Sequence, residues 1–403
     1  MSRARARAIV LAASATCLAF GIALACGPGS LGDLTGGRPD SGAPDATADA
    51  PVDAGCAGQM RGLPPVRPEI ADDGMSIPDQ YGLTFAFDDM RVDTGDFDAS
   101  LGKPQSFDLD HACTCPEPSS CVPPDAGASL CDTAGGRDNV AGGLIAGIAS
   151  IVPGLTPALL QRRIHDGAFN FLVHVAGWNG KPDDPIVGVD IKGASKWDAP
   201  RDDAGALVLD DAGKPLKPAF DGTDIWDVDP QSIVNSSVTD CQTSACVPRV
   251  IDPMAYVAGG VVVAHFDSLP VNLVSDTGAF FVQFVGVTFS ARITPTTIAG
   301  EMAGRWPVDS LLSTARGIRD PITDAGICPG STTFMIFKQT ICAAVDLAVT
   351  PTLDNTGASC NALSESMAFT GVLAKAGPVQ AITIEPSGCP DTDAGQSCAN
   401  DNQ

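Results

Sequence analysis

The segment Phe107-Asp108-Leu109-Asp110 and the pair Asp138-Asn139 are two short clusters of oxygen ligands, and between them the chain carries Cys113, Cys115, Cys121 and Cys131. Cross-linking those cysteines would fold the stretch back on itself and bring Asp108, Asp110, Asp138 and Asn139 together. A hard cation such as Ca²⁺ collects about six to eight oxygen ligands from carboxylates, amides and carbonyls, so this is the first candidate calcium site. Trp178-Asn179-Gly180-Lys181-Pro182-Asp183-Asp184 is the second choice, through Asn179, Asp183 and Asp184. Phe220-Asp221-Gly222-Thr223-Asp224-Ile225-Trp226-Asp227 repeats the chemistry with Asp221 and Asp224. In these two loops an indole, Trp178 or Trp226, stands beside oxygen donors, which is what a calcium-assisted sugar-binding loop would use: an ion for the hydroxyls, an aromatic face for the ring. Asn-Gly and Asp-Gly are also strong turn signals, and none of the loops follows the EF-hand spacing, so each has a purely structural reading as a turn.

No residue reads as a catalytic nucleophile. HExxH, GxSxG and the P-loop are absent from the sequence, and His111, His165, His174 and His265 are too dispersed to suggest a metal centre. Cys113-x-Cys115-x5-Cys121-x9-Cys131 lacks the paired C-x2-C knuckles of a zinc site, so disulfides account for it better. The favoured role is therefore binding or structural. The rival is a secreted polysaccharide hydrolase with its carboxylate pair hidden among the aspartates, which are too numerous for the sequence to rank.

The cysteines also speak to the compartment. Arg3, Arg5 and Arg7 precede an apolar, Ala-rich run from Ala8 to Ala25, the plan of a secretory signal peptide over 1–25. Ala23-Leu24-Ala25-Cys26 is similar to a bacterial lipobox, with Leu24 one position late, and predicts lipidation of Cys26 and a bilayer anchor. With Cys17 lost in the signal and Cys26 acylated, an even set remains: Cys56, Cys113, Cys115, Cys121, Cys131, Cys241, Cys246, Cys328, Cys342, Cys360, Cys389 and Cys398. Full pairing is expected, with Cys241 to Cys246 and Cys389 to Cys398 as local bridges.

The elements that must position these groups are mostly strands. Residues 26–76 are rich in Ala, Pro, Gly and Asp and are read as a tether; 77–403 is read as one β-rich domain. Alternation marks strands at Leu83 to Phe87, Phe169 to Val175, Val187 to Ile191, Met367 to Leu373 and Gln380 to Glu385. Tyr256 to Phe266 reads as one continuous strand, and Phe280 to Ile293 with Ile298 to Trp306 as a long hairpin around Pro295. Helices are expected near 138–164, at 307–315 and over 331–347. This predicts an antiparallel β-sandwich-like sheet with peripheral helices, stapled by disulfides. The formal net charge is −24, and only Glu69, Glu117, Glu301, Glu365 and Glu385 of the 48 acids are Glu. Such a surface repels nucleic acid.

The strings FDLD, CTCPEPSSCVPP, GGRDN, GWNGKPDD, FDGTDIW, YVAGGVVVAHF and AGRW, spread over about 107–306, resemble a group of myxobacterial-type secreted lipoproteins with acidic Ala/Pro linkers. The resemblance implies export to the outer membrane, cell surface or periplasm, and no function comes with it. The expected partners are the lipid bilayer, through Cys26, and a glycan or other surface ligand.

Overall fold

The structure, a computed structural model, describes residues 62–69, 82–92, 106–115, 118–124, 129–133, 135–151, 156–242, 245–275, 278–318, 326–382, 389 and 397–398. All of them belong to Val52–Gln403, one of the two compact units into which the chain divides. The signal peptide, Cys26 and Cys56 lie outside the described residues.

Eight strands follow one another around a closed ring. They are β1 (Leu83–Val92), β2 (Asn170–Ala176), β3 (Asp184–Trp197), β5 (Val250–Ala258), β6 (Val261–Ser275), β7 (Gly278–Ile293), β8 (Thr297–Pro307) and β9 (Ala362–Leu373). Each pairs antiparallel with its successor, and β9 returns to β1 with Phe85 opposite Leu373 and Met90 opposite Phe369. Closure on the other side depends on β3, whose first half pairs with β5, Val187 opposite Ala255, while its second half pairs with β4 (Ile225–Val228). A short β10 (Lys375–Val379) runs parallel to β4. The architecture is thus an up-and-down barrel, and the expected sandwich is overturned: the alternating strands close on themselves and, among the described residues, no second sheet faces them.

Alternation explains the filling. Phe85 and Phe87 of β1, Phe171, Val173 and Val175 of β2, Val187, Val189 and Ile191 of β3 and Phe289 of β7 are all under 2% exposed and share one core. Phe369 stacks on Phe87 at 4.3 Å and lies 5.2 Å from Phe289, so aromatic rings plug the middle. Eight strands leave an interior just wide enough for such side chains. His174, Asp190, Lys192 and Thr288 fall on the alternate positions, outside the barrel. At Gly286, φ +59°, β7 bulges against β8 between Val285 and Thr288, and the inward set changes from Val282 and Phe284 to Val287 and Phe289.

Among the described residues four α-helices accompany the barrel: α1 (Val140–Ile151), α2 (Pro157–His165), α3 (Val308–Ala315) and α4 (Thr332–Cys342). Thr156 caps α2 by accepting from the Leu159 amide at 3.2 Å, with Pro157 in the first position, and Ser331 caps α4 through the Phe334 amide at 3.1 Å. Leu144, Leu160, Leu311 and Phe337, one from each helix, meet Trp306 and Met367 around an apolar space of about 70 Å³.

Three local expectations change. Tyr256 to Phe266 is split between β5 and β6 by a Gly259-Gly260 turn with φ of +59° and +79°. The last strand among the described residues is Lys375–Val379; of the strand expected over 380–385, residues 380–382 have no strand structure and 383–385 lie outside the described residues. Residues 62–69, placed in the tether, dock on the barrel: the Tyr256 hydroxyl donates to the Pro65 carbonyl at 2.6 Å, and the Arg67 guanidinium lies 4.9 Å from the Tyr256 ring centre.

The disulfides among described residues are Cys115–Cys131, Cys121–Cys360, Cys241–Cys246, Cys328–Cys389 and Cys342–Cys398, and Cys113 is also disulfide-bonded. Cys241–Cys246 is the local bridge expected. Cys389 and Cys398 do not pair with each other: they reach back to the two ends of the α4 region and tie the C-terminal segment to it. This covalent framework points to an oxidising, exported environment.

Candidate metal centre

Ser106, Leu109 and Val140 fasten the acidic segments to the outer wall of β8 and β9. The Ser106 amide donates to Glu301 Oε2 on β8 at 3.1 Å, and the Val140 amide donates to Ser364 Oγ on β9 at 2.8 Å. Arg305, also on the outer face of β8, is 1% exposed and donates to the carbonyls of Leu109 and Ala348 at 2.6 Å each. Cys115–Cys131 closes the intervening loop. The turn is tight enough that Ser106, His111 and Cys115 take left-handed backbone angles of +55° to +57°, a conformation that costs about 1–2 kcal/mol for each non-glycine residue.

This loop brings Asp108, Asp110 and Asp138 together, with ligand oxygens all within 4.8 Å of one another. The three residues are 3%, 2% and 2% exposed. Backbone donors orient them: Leu109 N–H to Asp138 Oδ2 at 2.7 Å, and Ala112 N–H to Asp110 Oδ1 at 2.9 Å. Asp108 is aligned by its own amide, which donates to the Gly62 carbonyl at 2.9 Å. Asn139 follows Asp138 in the chain and is half-buried immediately before α1.

Two further acids, which the sequence does not single out, join the cluster. Asp132 accepts from the Thr114 amide at 2.7 Å. Asp346 accepts from the Ser364 amide at 2.8 Å and from the Ser364 hydroxyl, which places it against β9. Burial pushes the Asp346 carboxyl up to about 7, against the pull of the Ser364 bonds and with the help of Asp110 and Asp132. Burial likewise raises Asp132 to about 6, with Asp110 and Asp108 adding repulsion. Asp138 is held well above the usual carboxylate range by burial, then by Asp110, Asp346 and Asp132. Carboxylates crowded into a low-dielectric site must take up protons or a cation. Asp132 carries a weak signal in the sequence, since it follows Cys131 directly; Asp346 carries none.

The other predicted residues are not gathered in this way. Asn179, Asp183 and Asp184 use side-chain oxygens to hold turns, accepting from the amides of Lys181 at 2.7 Å, Gly259 at 2.8 Å and Asn179 at 2.9 Å. Trp178 donates to the Lys181 carbonyl at 2.9 Å and packs on the core. Asp224 accepts from the Ala219 and Phe220 amides, and Asp221 bonds the Thr223 hydroxyl and amide. Trp226 lies on β4, 0% exposed, in a second core with Leu172, Ala194 and Val228, so its ring offers no face to a sugar.

Comparison with known protein families, with curated proteins and with solved structures finds no match.

Proposed function

We propose that this is an exported lipoprotein, anchored through acylated Cys26, whose barrel serves binding rather than catalysis and is locked by Ca²⁺ at Asp108, Asp110 and Asp138. The observation that carries the calcium reading is the convergence of three almost fully buried aspartates from the two segments that flank the disulfide-closed loop. Oxygen-only donors favour a hard cation over zinc or copper. The ion would offset the carboxylate repulsion and cross-link the loop where it crosses β8 and β9. A polysaccharide hydrolase needs its carboxylates open to a polymer, and these are closed over, so the cluster lends that alternative no support.

The test is calcium content and melting of the purified protein. Equilibrium dialysis should find one tight Ca²⁺ per chain, lost in Asp108→Asn/Asp110→Asn. A hundredfold excess over Kd contributes about 2.7 kcal/mol, a shift of a few degrees in Tm. Identical melting in calcium and in chelator, with no bound ion, would refute the site.

A further inference from the structure

At one mouth of the barrel the strands stop short of filling it. Here β6 turns into β7 with Ser275 opposite Gly278, β8 runs out at Pro307 opposite Ala362 of β9, and β1 ends at Val92 opposite Met367. The aromatic plug of Phe87, Phe289 and Phe369 lies deeper. Toward the mouth the inward positions pass to Met90, Leu273, Phe284 and Met367, the floor of the apolar space of about 70 Å³, and the four helices roof it. The interior of an eight-stranded barrel is wide enough for its own side chains or for one small ligand.

The lining is carbon almost throughout. The Thr314 hydroxyl already serves the Phe281 and Ser310 carbonyls, at 2.6 and 2.9 Å. The Trp306 indole nitrogen and Glu365 Oε2 have essentially no accessible surface and offer nothing to a guest. A buried water requires two to four polar partners, so such a space stays dry. Left unfilled, it forfeits dispersion contacts that an apolar guest restores. Met90 and Met367, unbranched and soft, let the floor adapt to that guest. The roof is weakest at α1. Of the described lining residues all are buried except Leu144 and Ile145, which are half-buried on this helix. Gly142, Gly143 and Gly147 fall within its 12 residues, and it has no acid in its first turn and no base in its last, so α1 is a marginal helix. The Val140 amide, bonded to Ser364 Oγ, makes β9 the fixed end of this lid.

We infer that this mouth binds one slender, unbranched aliphatic chain, which enters tail first beneath α1. Size sets the shape: at roughly 10–15 Å³ for each water-sized body, the space takes about five to seven carbons in a row. The apolar lining keeps a charged or hydroxylated group out of the interior, so the polar end of the guest stays at α1, in solvent. The inference rests on the binding role proposed above, for which it names the ligand class, and is independent of the calcium site, which lies outside the barrel over β8 and β9.

Calorimetry and methionine-methyl NMR on the whole chain, with straight-chain alcohols from butanol to octanol, test it. Affinity should rise about fourfold per added carbon and level off near hexanol, and the Met90 and Met367 methyl signals should move. Ala141→Leu fills the space from α1 and should weaken hexanol binding about tenfold or more. Leu160→Ala enlarges the space and should carry the plateau to longer alcohols, a second reading should Ala141→Leu not fold. Gly143→Ala adds a methyl that meets nothing within 4 Å; by strengthening α1 it should slow exchange about fivefold at nearly constant affinity. Affinity that climbs without levelling, methyl signals that stay still, or hexanol binding unchanged in a folded Ala141→Leu protein would overturn the inference, as would a plateau unmoved in Leu160→Ala. Exchange unchanged in Gly143→Ala would overturn entry beneath α1. Titration in calcium and in chelator separates the two sites: hexanol binding retained in chelator leaves this one standing, and calcium-dependent melting without any uptake of alcohol removes this one alone.

Discussion

Arg305 grips both carboxylate oxygens of Asp354, at 2.8 and 2.5 Å, on the outside of a barrel strand where the arginine side chain is 1% exposed. The same guanidinium holds the Leu109 and Ala348 carbonyls, so one side chain fastens the acidic loop and the 346–354 segment to β8. Burial raises the Asp354 carboxyl even against the pull of Arg305. Removing the cation would strand a half-buried carboxylate and two carbonyls. Arg305→Ala should cost about 3–5 kcal/mol in denaturant unfolding, the range for breaking a buried ion pair from one side, and Arg305→Lys should recover only part of it, because an ammonium cannot reproduce the two-pronged contact.

The disulfides should contribute unequally. If cross-links act by restricting the unfolded chain, the bridge spanning 239 residues, Cys121–Cys360, stabilises more than Cys241–Cys246, which spans 5. The loop-entropy estimate is about 5 kcal/mol for the first and about 2 kcal/mol for the second, upper bounds where other bridges share the loop. Paired Cys→Ser variants measured by urea unfolding check the order; equal losses would contradict it. Alkylation of the denatured, unreduced mature protein should label no cysteine.

Anchoring has its own measurement. Labelled palmitate should enter the wild-type protein at Cys26, and Cys26→Ser should move from the membrane fraction to the soluble one. Wild type released as readily as the mutant would leave plain secretion.

Single strands were far more legible than their closure. Phe85-Ala86-Phe87 and Val187 to Ile191 alternate in the same way whether a sheet faces another sheet or curls onto itself; the difference lies in β1 meeting β9 and β3 meeting β5, contacts between segments far apart in the chain. Tyr256 to Phe266 misled because apolar residues flank a glycine pair that turns the chain. Asp next to Trp at 226 suggested an exposed platform, yet the ring fills a second core outside the barrel, beneath β4. Within the acidic site, Asp108, Asp110 and Asp138 were readable because they bracket a cysteine-rich segment that cross-links fold back on itself. Asp346 was not, because only the β8 to β9 connection carries it there.

The pH dependence of stability should reverse between chelator and calcium. Asp346 near 7, Asp132 near 6 and the raised Asp138 all bind protons more tightly folded than unfolded, where a carboxyl titrates near 4. By linkage their contribution is fully present below pH 4 and is lost as pH rises through 6 and 7, because the folded state must then hold crowded negative charge. In chelator, therefore, this cluster should lower Tm as pH goes from 5 to 8. Calcium competes with those same protons, so its stabilising shift should be small at pH 5 and largest at pH 8, where the ligands are ionised. Asp346→Asn removes one titrating group without removing Asp108, Asp110 or Asp138, and should flatten the chelator curve while leaving a calcium shift. Melting scans across that range in both buffers decide the matter: a calcium shift that is constant with pH would mean that the ion binds elsewhere, on groups already ionised at pH 5.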